Sequence, residues 1–142
     1  MPDLKDKVTA EERAAVREWK REKSRSGKTT PEQDAAEVRA KIEEMPQADR
    51  SIAERIHGIV LNAAPQLAAR TWYGMPAYAL DGKVLCFFQP ASKFKARYGT
   101  LGFSDKAALD QGSMWPTSFA LTEITAEIEA RITDLVKRAI EA

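Results

Sequence analysis

The sequence predicts an α+β fold: an antiparallel β-meander sheet packed by helices on one face, with an N-terminal helical extension. Three observations carry this. Apolar residues recur at helical spacing between Thr9 and Ala63 and again between Glu123 and Ile140. Between those stretches, apolar runs flank Asp81-Gly82, the dipeptide that a two-residue hairpin turn favours because both turn positions need positive φ. The chain has 142 residues, 44% hydrophobic and 30% charged, which fits one domain with a core large enough to need no staple. Residues 1–45 are read as the helical extension, part of the same globular unit, and residues 46–142 as the α+β domain.

The first helix is expected from about Thr9 to Lys23. Thr9 with Glu12 three residues on makes a capping box, in which each side chain satisfies a backbone N–H left over at the helix start. Its apolar stripe is thin, little more than Ala15, Val16 and Trp19, so it docks through Trp19 and is otherwise solvated. Ser24 to Thr29 reads as a linker. A second helix opens with Thr30 as cap, Pro31 at the first helical position and Gln33 closing the box. Ala35, Val38, Ile42 and Met45 form its buried face, and Met45-Pro46 breaks it. A third runs from about Asp49 to Ala63 with Ile52, Ile56, Ile59 and Val60 inward, and Pro65 ends it.

Strands are expected from Ala77 to Leu80, from Lys83 to Gln89, from about Phe94 to Tyr98 or on to Phe103, and from Thr117 to Leu121. Ser104 is expected to cap a short helix through Leu109, released at Gly112. The last helix, from about Glu123 to Ile140, carries Ile124, Ile128, Ile132, Leu135, Val136 and Ala139 on one face. Glu127 with Arg131 and Asp134 with Arg138 are spaced as favourable pairs on its wet side.

A two-residue turn at Asp81-Gly82 sets Leu80 opposite Lys83 and, in unbroken register, Tyr78 opposite Leu85. Alternation then sorts the hairpin into two faces. Ala77, Ala79, Val84, Cys86, Phe88, Phe94, Ala96 and Tyr98 form an apolar face with small residues at its centre for the helices. Tyr78, Leu80, Leu85, Phe87, Gln89, Lys93, Lys95 and Arg97 form the other, interleaving aromatic and aliphatic groups with cations. That second face suits a phosphorylated or carboxylated small molecule, and equally a sheet face on which Lys and Arg stems lie across rings. The candidate ligand-binding residues are Tyr73, Tyr78, Phe87, Lys93, Lys95, Arg97 and Trp115. An uncovered face with Tyr78, Leu85 and Phe87 would also serve as a homodimer patch.

Lys and Arg number 22 against 21 Asp and Glu, a formal charge of +1, so the molecule as a whole has no field for nucleic acid or anionic lipid. Cys86, the single cysteine, sits in an apolar run and reads as a small core hydrophobe. Met1 to Lys7 contain no apolar signal region and no stretch approaches a membrane span, so the expected location is the cytoplasm.

Trp72-Tyr73-Gly74-Met75-Pro76-Ala77-Tyr78, followed by Gly82-Lys83-Val84-Leu85, resembles the signature of the YdhG-like family of domains of unknown function. The resemblance covers about Ile52 to Ile140. It implies helices against an antiparallel sheet. Some members of that family are described as iron chaperones resembling frataxin in role, most have no assigned activity, and no catalytic residue carries over. The extension through Met45 departs from the pattern. Without the resemblance, Gly74 and Pro76 re-aim the chain into the hairpin, since glycine permits unusual φ and proline extends the residue before it.

The function expected is therefore non-enzymatic binding of a small anionic metabolite or a protein partner through the outer face of the hairpin. His57 is the sole histidine and has no partnered nucleophile, and Gly27-Lys28-Thr29 lacks the earlier glycine and the strand of a phosphate loop. No cofactor is expected. Iron is the alternative, resting on the resemblance, but Glu11-Glu12, Glu43-Glu44 and Glu127-Glu129 each lie beside Lys or Arg. A second alternative is weak nucleic-acid binding by Arg13, Arg17, Lys20, Arg21, Lys23, Arg25 and Lys28, which Glu11, Glu12, Glu18 and Glu22 interrupt.

Overall fold

The computed structural model describes residues 8–141, so the reading of Met1 to Lys7 lies outside the described residues. Four α-helices and five strands follow in the order α1 (Ala10–Arg25), α2 (Pro31–Glu43), α3 (Gln47–Ala63), β1 (Ala68–Trp72), β2 (Met75–Leu80), β3 (Lys83–Gln89), β4 (Gly99–Phe103), β5 (Ser118–Leu121) and α4 (Ala126–Ala139). The strands form one antiparallel meander in sequential order, β1-β2-β3-β4-β5.

Local chemistry sets the helix ends. Thr9 Oγ1 accepts the Glu12 N–H at 3.0 Å, and Thr30 and Gln33 exchange both bonds of a capping box at 3.1 and 2.8 Å. Thr125 caps α4 by accepting the Ile128 N–H. Three helices bury one face each against the same side of the sheet. Val38 and Ile42 of α2, Ala53, Ile56, Ile59 and Val60 of α3, and Ile132, Val136 and Ala139 of α4 join Tyr78, Leu85, Cys86, Phe88 and Leu101 in one core. Completely burying a side chain such as Ile56 contributes about 2 kcal/mol. The second helix is thus part of the central core, not an appendage.

The hairpin departs from unbroken register. Asp81 and Gly82 turn at positive φ, and Leu80–Lys83 and Ala79–Val84 pair as expected, but a bulge then sets Tyr78 opposite Cys86 and Ala77 opposite Phe87. Leu85 is the extra residue, and the bulge is pinned from the next strand's exit, where the Ser104 N–H donates to the Leu85 carbonyl at 2.9 Å and its hydroxyl to that of Val84. The result moves Tyr78, Leu80 and Leu85 to the helix side and puts Ala77, Ala79 and Val84 on the outer side. Tyr78 and Leu85 thereby enter the core between sheet and helices, while Ala77 and Ala79 lie on the outer side of β2 and are buried there too. Tyr78, expected on the outer face, is completely buried among the helices.

The expected strand at Phe94 to Tyr98 is likewise overturned. Ala91–Phe94 is a 3-10 turn, closed by Lys95 in the left-handed region, and the strand begins only at Gly99. Phe88 therefore pairs with Leu101, and Lys93, Lys95 and Arg97 are not on the sheet. The loop after β3 is long because the Ala96 N–H folds back to the Ala91 carbonyl at 2.8 Å. Ser104 to Leu109 makes one turn and no helix, since the Ala108 N–H leaves to bond Ala139 at the end of α4. The pairs Glu127–Arg131 and Asp134–Arg138 do not close. The ion pair seen on α4 is instead Glu129 with Arg55 of α3 at 3.3 Å. Among the described residues no helix is long and apolar enough to cross a membrane.

Candidate functional site

The site grows from the turn between β1 and β2. Trp72 pairs with Met75, so the loop has two residues, Tyr73 and Gly74, with φ of 53° and 78°. A tyrosine pays for that geometry in strain unless something holds it. Glu22 of α1 holds it: its two carboxylate oxygens accept the Tyr73 N–H at 2.8 Å and the Gly74 N–H at 2.9 Å. Trp19, one turn earlier on α1, stacks on the Tyr73 ring with centroids 6.0 Å apart and planes within 14°. Helix α1 is thereby fastened across the end of the sheet, and its later half faces the outer side of β1, β2 and β3.

Rings continue from there. Trp72 meets Tyr73 edge-on at 4.9 Å and Phe87 at 5.1 Å, making a row Trp19–Tyr73–Trp72–Phe87. Phe87 lies flat over Gly102 of β4, where a Cβ would penetrate the ring. Ala77 and Ala79, on the same side of β2, are buried. Beside it a groove of about 480 Å³ runs between α1 and the sheet, walled by Trp19, Trp72 and Val84 and carrying Lys23, Arg70 and Lys83. The Lys23 ammonium stands 4.9 Å over the Trp19 ring. Among the described residues none of these three cations has a carboxylate within ion-pair distance. Glu22 also lines the groove, but both of its oxygens are engaged by the turn. The arrangement presents positive charge over an aromatic wall.

The residues expected at the site are dispersed. Tyr73 and Phe87 belong to the ring row. Lys93 reaches the same turn, its Nζ 3.1 Å from where a Cβ on Gly74 would stand, and burial lowers its pKa against an opposing pull from Glu18. Lys95 is tied to Glu11 at 3.1 Å. Arg97 is exposed and lies over Tyr98 at 5.3 Å. Trp115 is half-buried against the core beside β5. Tyr78 donates to or accepts from His57 Nδ1 at 3.0 Å on the far side of the sheet. Arg70, Lys83 and Glu22 were missed; Trp19 was expected only as the docking residue of α1, Trp72 only as a wall beside Tyr73, and Lys23 only among the nucleic-acid cations. Ala15, Trp19 and Glu22 fall at i, i+4 and i+7, so a carboxylate on the apolar stripe was the available signal for Glu22.

The α1 cations expected to serve nucleic acid are divided. Arg21 pairs with Glu18, and Arg25 with Glu37 at 2.6 Å. A second cavity of about 280 Å³ lies between the α1–α2 loop and β1, but its carboxylates are engaged: Asp34 by Thr29 at 2.7 Å, Glu37 by Arg25, Glu22 by the turn. Among the described residues no group of three or more His, Cys, Asp or Glu side chains is placed to hold a metal ion.

The class defined by this architecture is an α+β domain with helices packed on a five-stranded antiparallel meander. Compared with models of known protein families, with curated proteins and with solved structures, the chain finds no match. The resemblance to YdhG-like domains thus rests on the sequence reading alone, on Trp72 to Tyr78 followed by Gly82 to Leu85.

Proposed function

We propose that the groove between α1 and the outer sheet face binds a small carboxylated or phosphorylated molecule with a flat apolar body. The observation that supports this is the set Lys23, Arg70 and Lys83, without carboxylate partners among the described residues, around a wall of Trp19 and Trp72. Arg70 offers a planar fork to a carboxylate or phosphate, and the two lysines add point charge at either side. The indoles supply apolar contact for a ring, at a modest cost in side-chain freedom because the row already fixes them. The side chains that line the groove recognise and hold.

The test is a thermal-shift screen of aromatic and heteroaromatic carboxylates and phosphates, followed by tryptophan-fluorescence titration of each hit. Wild-type protein gives a saturable response. Arg70→Glu with Lys83→Glu removes it while leaving the melting temperature of the free protein within a few degrees, since both residues are outside the core. Arg97→Glu, away from the groove, keeps it. A hit whose affinity ignores the Arg70/Lys83 variant, or a screen with no hit, rejects the reading.

A further inference from the structure

The two edges of the sheet are treated differently. Along β1 the helices α1 and α2 close in, with Thr71 donating to Glu37 at 3.4 Å and Glu22 on the turn. Beyond β5, Ser118 and Ala120 are exposed. The Phe103 N–H donates to the Thr117 carbonyl at 2.7 Å, and the register Leu101–Phe119 and Gly99–Leu121 follows at two-residue steps. In an antiparallel ladder this turns the N–H and C=O groups of Thr117, Phe119 and Leu121 toward β4. Those of Ser118 and Ala120 point away from the sheet. From Thr117 to Thr122 the strand contains no charge and no proline, the usual guards of an open edge.

Next to this edge a cavity of about 290 Å³ opens between β5 and α4, walled by Phe119, Leu121, Ile128, Ile132 and Leu135. Arg131 is the one charged residue on its wall; it is exposed, and among the described residues no carboxylate lies within ion-pair distance of it, Glu127 one turn earlier included. An open edge asks for a strand, and the wall says which kind.

We infer that β5 is a strand-addition site for an extended acidic–apolar peptide segment of another protein. Its backbone bonds Ser118 and Ala120, alternate apolar side chains enter the α4 cavity, and an Asp or Glu meets Arg131. A second copy of this chain is the competing occupant, and charge argues against it. Pairing β5 with itself about a two-fold at Phe119 puts Arg131, midway along the α4 wall, on the same side as its symmetry mate, and like charges are destabilising there.

The experiment pans a phage library of random heptapeptides on the full chain, then studies the most enriched peptide in solution. Enriched sequences are expected to alternate apolar residues and to contain an acid. Adding the synthetic peptide slows amide hydrogen exchange at Ser118 and Ala120. Arg131→Glu, exposed and outside the core, weakens that peptide roughly fivefold and is rescued when Lys replaces the peptide's acid. Absence of enrichment, binding that leaves the Ser118 and Ala120 amides unprotected, or indifference to Arg131→Glu each overturns the proposal. So does a concentration-dependent dimer in sedimentation whose Ser118 and Ala120 amides are protected without peptide, which would assign the edge to a second copy.

Discussion

Glu22 fastens helix α1 to Gly74: one carboxylate oxygen accepts the Gly74 N–H at 2.9 Å while the other accepts the neighbouring Tyr73 N–H at 2.8 Å. The residue is buried, yet its charge is met by two backbone donors aimed from a turn whose residues both have positive φ. A carboxylate bound this way contributes more than a neutral hydrogen bond, about 2 kcal/mol in net stability. Glu22→Ala is expected to lose roughly that amount in urea unfolding and to quench the Trp19–Tyr73 contact, read as a change in tryptophan emission. Glu22→Gln, which can accept one N–H but brings an NH2 donor toward the other, should fall between the two. A variant as stable as wild type would mean that α1 is held by the Trp19 stack and by its ion pairs with Glu37, Lys41 and Lys95.

Close approach at Gly102 makes a second prediction. The Phe87 ring occupies the space a Cβ would take, and Phe87 in turn supports Trp72 on the wall of the groove. Gly102→Ala must push the ring off its site, at a cost of about 1–3 kcal/mol for overpacking. Because Trp72 moves with Phe87, near-UV circular dichroism should change as well as stability. Gly102→Ala combined with Phe87→Leu should recover part of the loss, and failure of that rescue would place the strain elsewhere.

What could be read from the chain divides along a physical line. Thr30, Pro31 and Gln33 act within a few residues of one another, and their capping box is present as the spacing requires. The same holds for the helical stripes and for the Asp81-Gly82 turn. The face assignment failed because Leu85 bulges, and what pins the bulge is Ser104, nineteen or twenty positions away and invisible to any local pattern. Phe94 to Tyr98 looked like a strand by composition, but the ladder with β3 is taken by Gly99 to Phe103, where Gly99 fits against Phe88 and Gly102 against Phe87. The cations of the candidate groove come from α1, β1 and the hairpin tip, a combination set by how α1 docks. Tyr73 and Phe87 were legible from their turn and strand; Arg70 and Lys83 were not.

His57 and Tyr78 predict a pH effect. Nδ1 of His57 lies 3.0 Å from the buried Tyr78 hydroxyl; burial, and secondarily the charge of Arg39, lowers the histidine's pKa below its ordinary 6.5. The unfolded chain therefore takes up a proton before the folded one does. Stability from this group is fully present above about pH 6.5 and declines as pH falls from there through the lower folded value. Chemical denaturation at pH 7.5 and pH 5.0 should show wild type losing more stability than His57→Gln over that interval. Equal losses would move the acid sensitivity to the carboxylates. Tyr78→Phe should lower stability by about 1 kcal/mol at pH 7.5 through the lost hydrogen bond.

Cys86 carries the last prediction. It is completely buried on β3 opposite Tyr78, and burial pushes its thiol up to about 12, so at neutral pH it is protonated and out of reach of an oxidant or alkylating agent. A disulfide reagent added to the native protein at pH 7.5 should therefore react only as fast as the sheet opens. The rate should be independent of reagent concentration once the reagent outcompetes reclosing, and complete within seconds in concentrated urea. Glu22→Ala and Gly102→Ala discriminate the opening that matters. If β3 is exposed only by global unfolding, each variant accelerates labelling in proportion to its loss of stability, when opening and closing are fast relative to the reaction. If β3 instead parts locally from β4, with which Cys86 pairs through Phe103, Gly102→Ala accelerates labelling beyond its stability loss and Glu22→Ala, on the β1–β2 turn, does not. Fast labelling of the wild type would contradict the burial of the thiol, and with it the placement of Cys86 on the helix side of the sheet.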